Sequence, residues 1–181
     1  MGSGSVAFYI GQGFGVLAVI LGFISYQMKS SKMVLIFQIS VCTVFSIHYL
    51  LIGALSGFAL NVLCLIRNVT YYFKGKWILK DPYVTVFFTV IMGIVGIFSW
   101  QGYPSIFVII GMMVNTVGMS FRDPQNMRKS ILISSPLVIL YDVLVSSYGG
   151  IVYESVVIVS SIVGIILSRK RKGQTEQSAK T

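Results

Sequence analysis

The chain has 181 residues, of which 55% are hydrophobic and only 10% are charged. Soluble domains carry about 25% charged residues, so a water-soluble fold of this length cannot hide so much apolar surface, and a lipid bilayer is the expected solvent. The net charge of +9 does not indicate nucleic-acid binding, because the basic residues are confined to gaps between apolar runs.

Seven apolar runs follow one another along the chain. Each is read as a helix, because an open sheet edge cannot be satisfied in hydrocarbon. The predicted spans are residues 6–28, 33–52, 56–73, 83–99, 104–121, 131–148 and 150–168. The fold class expected is therefore an all-α polytopic membrane protein with seven transmembrane helices.

The basic residues alternate between the gaps. All Lys and Arg residues except Arg67 lie in every second gap or after the last run: Lys29 and Lys32; Lys74, Lys76 and Lys80; Arg122, Arg128 and Lys129; Arg169, Lys170, Arg171, Lys172 and Lys180. Short cytoplasmic loops carry excess Lys and Arg. The alternation predicts a multi-pass protein with its N-terminus outside and its C-terminus in the cytoplasm.

A faint internal repeat relates the two halves. Lys32-Met-Val-Leu-Ile matches Arg128-Lys-Ser-Ile-Leu at an offset of 96, and Ser56-Gly-Phe-Ala-Leu-Asn matches Gly149-Gly-Ile-Val-Tyr-Glu at an offset of 93. Each unit then comprises three helices. A single helix inserted between them gives both units the same orientation, a 3+1+3 plan in which a substrate site is expected between the units.

This plan divides the chain into five segments. Residues 1–5 are an N-terminal extension that resembles a cloning remnant, and 169–181 form a basic cytoplasmic tail that we expect to be disordered. Between them lie the first three-helix unit at 6–73, the inner linker with the linker helix at 74–103, and the second unit at 104–168.

Polar residues within the spans are the candidates for function. His48, Asn61, Asp142 and Glu154 each lie about 6–9 Å below the outer end of a predicted helix, at 1.5 Å per residue. In the repeat, Asn61 pairs with Glu154 and His48 pairs with Tyr141. Intramembrane acids and histidines usually face a cavity or a partner. We expect a substrate pocket for a cation, a proton-coupled substrate or a hydroxyl-rich solute; the alternative is that these residues reach surface water.

Arg67 is the one basic residue outside the alternation. It either extends to the inner headgroups, or pairs with Asp142 or Glu154, or contacts an anionic substrate. Asn68 lies seven residues after Asn61, and Ser161 lies seven after Glu154, so each pair shares a helix face and belongs to the predicted binding set. Pro136 interrupts the sixth span and forms either a hinge or a static kink.

Other features favour packing over chemistry. Gly11 and Gly15 form a small-xxx-small pair for close helix contact and not a phosphate loop. Cys42 and Cys64 lie within spans and indicate no disulfide. The chain has a single His and no hydrolase motif, so we expect neither an enzyme, nor a metal site, nor a cofactor.

The pattern resembles the SWEET and PQ-loop (MtN3-like) superfamily. More closely, Ile10-Gly-Gln-Gly-Phe-Gly-Val16, Ser46-Ile-His-Tyr-Leu-Leu-Ile-Gly53 and the stretch 60–68 resemble the bacterial inner-membrane YgjV-type proteins. The resemblance implies a bacterial inner (plasma) membrane location. SWEET-like carriers hold substrate between an Asn on the third helix and an Asn on the seventh; Asn61 matches the first, and Glu154 stands in place of the second. Pro124-Gln125, at the end of the fifth span, matches the PQ motif.

These observations predict a transporter of a small polar solute that works by alternating access between the two units. The alternative is a membrane receptor or interaction protein on the same fold that does not transport. The expected partners are membrane lipids and a small-molecule substrate, with no nucleic acid; proton coupling and a homo-oligomer are both open.

Overall fold

The computed structural model describes residues 2–27, 31–74, 82–119 and 124–178, and within these ranges it contains seven α-helices and no strand. The helices are α1 (Gly2–Gln27), α2 (Ser31–Leu51), α3 (Leu55–Lys74), α4 (Pro82–Phe98), α5 (Pro104–Met119), α6 (Pro124–Leu144) and α7 (Tyr148–Ser178). The predicted inner-loop residues Lys29, Lys76, Lys80 and Arg122 lie outside the described residues, as does Lys180.

The helices follow the predicted order, with corrections at three ends. α1 already begins at Gly2, inside the expected extension. α6 begins at Pro124, not at residue 131, so the Pro-Gln pair opens α6 instead of ending the fifth span; proline suits a first helical position because its missing N–H would be unpaired there anyway. α7 continues to Ser178, so residues 169–178 are helical and not disordered, in keeping with the good helix propensity of Arg and Lys.

The distribution of side chains is inverted relative to a soluble protein. His48 and Asp142 are 0% exposed, whereas Phe98 is 89% exposed and Phe73 is 79% exposed. Large apolar side chains cover the outside of every described helix, and the inside holds serines, asparagines and threonines beside an apolar core that includes Phe45, Leu60 and Met92. Soluble monomers rarely expose apolar patches beyond a few hundred Å². The surface therefore fits hydrocarbon as its solvent.

The apolar stretches differ in length. Among the described residues, Val6–Ser25 and Tyr148–Ser168 are long and apolar enough to cross a membrane. Ile36–Leu51, Pro82–Phe98 and Pro104–Gly118 are apolar but shorter. α2, α3 and α6 carry polar side chains that point into the interior, so their continuous apolar stretches are shorter. A helix that contributes to a polar interior is not apolar on all of its faces.

Helix contacts follow a two-fold pattern. α2 packs between α1 and α3, and α6 packs between α5 and α7. The two triplets meet where α1 contacts α7 and where α3 contacts α5. These contacts close a ring of six helices, and α4 packs against α3 and α5 at one of the two junctions.

The turns after α2 and α6 have the same backbone hydrogen bonds, 93 positions apart. The Ala54 N–H donates to the Tyr49 carbonyl at 2.8 Å, and the Ser147 N–H donates to the Asp142 carbonyl at 2.8 Å. Gly53 and its equivalent Ser146 both have positive φ, at 79° and 58°. The repeat seen at offset 93 in the sequence is thus present in the backbone of both turns. We call the end of the bundle that carries them the turn end.

Close helix packing at glycine, predicted for α1, is confirmed. A Cβ on Gly15 would lie 2.9 Å from the Gly149 Cα, and one on Gly11 would lie 3.0 Å from the Ile52 side chain. The contact between Gly15 and Gly149 joins α1 to α7, so it brings the two triplets together. Small residues permit this approach of two backbones.

We expect Gly15→Ala to destabilise the protein by about 1–3 kcal/mol, because the new methyl group must displace the α7 backbone. Gly13→Ala is the matched control, since nothing lies within 4 Å of a Cβ at that position; alanine there should be neutral or stabilising by about 0.5–1 kcal/mol. Thermal unfolding of the detergent-purified protein measures both. Equal midpoints for the two variants would show that the α1–α7 contact is not tight.

Candidate functional site

A polar cavity of about 60 Å³ lies inside the helix ring. Five helices contribute to it: α2, α3, α5, α6 and α7. Its polar lining comprises Gln38, Tyr49, Asn61, Arg67, Asn115, Asp142, Tyr153 and Glu154, with Cys42, Cys64, Met112 and apolar residues between them. A cavity needs roughly 10–15 Å³ for each water, so this one has room for a few waters or a solute of similar size.

Tyr49 and Asp142 close the cavity toward the turn end. The Tyr49 hydroxyl donates to Asp142 Oδ1 at 2.7 Å, and both side chains are buried. The two residues are 93 positions apart, so they are equivalent in the repeat. Equivalent positions that touch must lie on the pseudo-two-fold axis, and there the repeat carries different residues, a donor on one side and an acid on the other.

Asn61 and Glu154, the second equivalent pair, both line the cavity. The Asn61 Nδ2 donates to the Gly57 carbonyl at 3.0 Å, which fixes the amide and leaves its oxygen free to accept. The Ser135 hydroxyl neighbours the Glu154 carboxyl group. The structure thus brings together four of the predicted residues, Asn61, Arg67, Asp142 and Glu154.

Arg67 lines the same cavity and is 3% exposed, so it does not extend to headgroups. Its Nη1 donates to Thr116 Oγ1 at 2.6 Å, and its Nη2 donates to Asn68 Oδ1 at 3.4 Å. Its Nε has no partner. No ion pair joins this guanidinium to a carboxylate among the described residues, so the predicted pairing with Asp142 or Glu154 is absent from this conformation.

His48 and Tyr141 lie outside the cavity lining and tie helices together. His48 Nδ1 donates to the Gly11 carbonyl at 2.7 Å, which leaves Nε2 to accept from the Ser147 hydroxyl at 2.8 Å in the neutral ring. The Tyr141 hydroxyl accepts the Gly57 N–H at 2.8 Å, near the start of α3. Each side chain therefore bridges the two triplets at the turn end.

Asn68 and Ser161 are buried but do not line the cavity. Asn68 Nδ2 donates to Cys42 Sγ at 3.4 Å, and its Oδ1 accepts from Arg67, so Asn68 orients a residue that does line it. Ser161 is 5% exposed on α7. Pro136 lies within the continuous helix α6, with an exposed ring. It removes the backbone hydrogen bond to the Leu132 carbonyl, and its role as a hinge stays a prediction.

Sequence reasoning missed Gln38 and Tyr49 as cavity residues. Tyr49 was detectable, because it lies 93 positions before Asp142, the offset of the repeat. Gln38 has no such signal; it faces the cavity only because α2 turns that face inward. Asn115 of the fifth span, for which a hydrogen bond to a neighbouring helix was the favoured interpretation of the sequence, also lines the cavity.

A family comparison identifies the chain. The model of the family Imp-YgjV, described as bacterial inner membrane protein, matches residues 9–172. The chain belongs to this family. Searches of curated proteins and of solved structures returned no significant match. Membership places the protein in the bacterial inner membrane and agrees with its inverted distribution of side chains.

Two glutamines make matching clamps at the turn end of this inner membrane protein. Gln12 of α1 donates to the Ser146 carbonyl at 2.8 Å and accepts the Tyr148 N–H at 3.1 Å. Gln101, between α4 and α5, donates to the Gly53 carbonyl at 3.0 Å and accepts the Ser56 N–H at 3.3 Å. Each glutamine amide thus binds the carbonyl of the residue with positive φ and an N–H group at the start of the following helix.

A larger concavity of about 580 Å³ lies on the outside, between α1 and α7. Its lining is apolar apart from Ser155 and Ser160. No charged side chain converges there, and in a membrane acyl chains fill such a groove. The smaller internal cavity, where charged and amide groups converge, is therefore the candidate site.

We expect Tyr141→Phe to destabilise the protein by about 1–3 kcal/mol, because it leaves the buried Gly57 N–H without an acceptor. Tyr103→Phe is the control, since Tyr103 is an exposed tyrosine on the α4–α5 connection. Thermal unfolding in detergent measures the difference. A Tyr141→Phe protein as stable as Tyr103→Phe would mean that the bond to α3 contributes nothing.

Proposed function

We propose that this inner membrane protein carries a small polar solute across the membrane by alternating access between two three-helix units, α1–α3 and α5–α7, joined by α4. The observation that carries the proposal is the position of the polar cavity. It lies between the units, it is lined by helices of both, and two of its lining residues, Arg67 and Asp142, each have a buried polar atom without a hydrogen-bond partner.

The proposal takes all seven helices as membrane spans, with the N-terminus outside and the C-terminus in the cytoplasm. Contacts at the turn end support it. The first half of α1, the α2–α3 turn, the α4–α5 connection and the α6–α7 turn meet there through Gln12, His48 and Gln101. This is the end that the uncharged gaps of the sequence assign to the outside.

The conformation described fits a carrier closed on its outer side. Hydrogen bonds that cross between the units concentrate at the turn end: Tyr49 to Asp142, Gly57 to Tyr141, His48 to Ser147, and Gln12 to Ser146 and Tyr148. Opening this end requires breaking them. A substrate drives the change only if it binds the closed and open states with different free energies.

The SWEET and PQ-loop likeness is part of this proposal. In those carriers substrate is held between the third and seventh helices, and here Asn61 and Glu154 face one cavity from α3 and α7. We further propose that the protein is not an enzyme, that its partners are membrane lipids and its solute, and that Pro136 permits α6 to bend. Proton coupling and a homo-oligomer belong to the same set of proposals.

We expect saturable solute uptake in proteoliposomes that falls at least tenfold in Glu154→Gln, because the substitution removes an acid from the cavity wall. Ser155→Ala is the matched control, since Ser155 is the next residue on α7 and is exposed. The measurement is uptake of radiolabelled sugars, amino acids, amines and vitamins under several pH gradients.

The outcomes separate the two functions. Absence of uptake for the whole panel would contradict the carrier. Binding of a panel member that stabilises the protein without uptake would favour the non-transporting receptor instead.

We expect Tyr49→Phe to open the outer side, because it removes the hydrogen bond that joins the units on the pseudo-axis. Cys42 and Cys64 line the cavity and report on its accessibility. A membrane-impermeant thiol reagent added outside intact cells should label Tyr49→Phe several-fold faster than the parent. Tyr103→Phe, and a variant with both cysteines changed to serine, are the controls; unchanged labelling in Tyr49→Phe would exclude Tyr49 from the outer closure.

A further inference from the structure

We propose that the cavity binds a small zwitterion of amino-acid size, with its carboxylate on Arg67 and its ammonium on Asp142 and Glu154. This inference rests on the proposed function and names the substrate class of the same site. Its basis is that two residues lining the cavity, Arg67 and Asp142, carry opposite charges and each keep a buried polar atom without a hydrogen-bond partner, Arg67 Nε and Asp142 Oδ2.

Arg67 supplies the anion-binding end. A buried guanidinium without a carboxylate is costly, and the structure leaves it with one hydroxyl, one amide oxygen at the long distance of 3.4 Å, and a free Nε–H. The planar fork of arginine matches a carboxylate in a bidentate arrangement. A substrate carboxylate would satisfy the Nε–H and neutralise the charge, which Thr116 and Asn68 cannot do.

The acids supply the ammonium-binding end. Asp142 is 0% exposed; its Oδ1 accepts a hydrogen bond from Tyr49, the Ser147 hydroxyl also neighbours the carboxylate, and Oδ2 has no hydrogen-bond partner. An ammonium has three donors. Asp142 Oδ2, the Glu154 carboxylate and the Asn61 amide oxygen are three acceptors on the wall of one cavity.

Arg67 and Asp142 lie at different depths along the bundle. Side chains tilt toward the N-terminus of their own helix. α3 begins at the turn end and α6 finishes there, so this general tilt favours opposite directions along the bundle for side chains of α3 and α6. Arg67 is about 18 Å along α3 from its start, whereas Asp142 is about 3 Å from the end of α6, at 1.5 Å per residue. Both residues line the cavity, so their opposite charges belong to different depths of its wall.

Charge and size together exclude simpler ligands. A lone amine would leave Arg67 unpaired, and a lone carboxylate would leave the acids unpaired, each in a site shielded from water. A zwitterion pairs both ends without adding net charge. The cavity of about 60 Å³ admits only a few heavy atoms unless the helices separate.

The test measures binding of glycine and β-alanine to the purified full-length protein, against acetate, ethylamine and acetamide as analogues lacking one or both charges. Thermal stabilisation and proteoliposome uptake are the two readouts. We expect the zwitterions to bind roughly 10–100-fold more tightly than either singly charged analogue, the range set by one lost charged hydrogen bond.

Arg67→Gln should lose the preference for glycine over ethylamine, and Asp142→Asn should lose the preference over acetate. Lys129→Gln, which removes an exposed cation from α6, should retain both preferences. Arg67→Lys keeps the positive charge but loses the planar guanidinium group. If this variant partly retains the preference for glycine over ethylamine, the loss in Arg67→Gln is a loss of recognition and not of folding. The unfolding midpoint of each variant without ligand provides the same control.

Ethanolamine phosphate, which carries the two charges of a phospholipid headgroup, separates a free solute from a lipid. Binding of this compound alone would overturn the proposal in favour of a lipid-headgroup site. Binding or uptake of acetate, ethylamine or a neutral solute at least as strong as that of glycine would overturn it while leaving the carrier function intact. No uptake of any solute in the wider panel would instead contradict the carrier itself.

Discussion

Every polar group inside this helix ring must find its partner within the protein or in a trapped solute, because acyl chains offer no hydrogen bonds. That constraint explains the organisation of the turn end. Histidine, tyrosine and glutamine side chains there bind backbone groups that a loop in water would leave to solvent. The matching clamps of Gln12 and Gln101 satisfy backbone groups of the α6–α7 and α2–α3 turns, in which Ser146 and Gly53 have positive φ.

The same constraint makes the exceptions informative. Most buried polar groups in folded proteins are paired, so an unpaired one marks a missing ligand or a functional state. Among the described residues, Ser25 Oγ, Arg67 Nε and Asp142 Oδ2 are such exceptions, and Arg67 and Asp142 both line the polar cavity. A protein selected for stability alone would more simply replace this arginine and this acid with apolar residues.

Pseudo-symmetry and its breakdown have different roles in the fold. The repeat gives two turns with the same backbone hydrogen bonds and two junctions between the triplets. The polar residues of the cavity are of different types at equivalent positions of the two triplets. Tyr49 meets Asp142 on the axis, and Asn61 faces the same space as Glu154. If both positions of each pair carried an acid, two negative charges would repel each other at that point.

The sequence determined the elements of this protein. Seven apolar runs became seven helices, since hydrophobic length is a local property that no tertiary contact reverses. It also placed Asn61, Asp142 and Glu154 in one region, because the repeat offset relates the helices that carry them. The sequence pattern did not predict that α6 begins at Pro124 or that α7 ends at Ser178. Residues with good helix propensity continue both helices beyond their hydrophobic stretches.

Only the tertiary structure decided which polar residues face the cavity and which tie helices together. His48 and Tyr141 share the depth and the repeat position of the cavity residues, yet they bond to neighbouring helices, while Tyr49, one position further along, faces the site. One residue turns a helix by about 100°, so helix rotation separates neighbours that have the same depth in the membrane. That rotation is fixed by the packing of all the helices together, and no local pattern in the sequence records it.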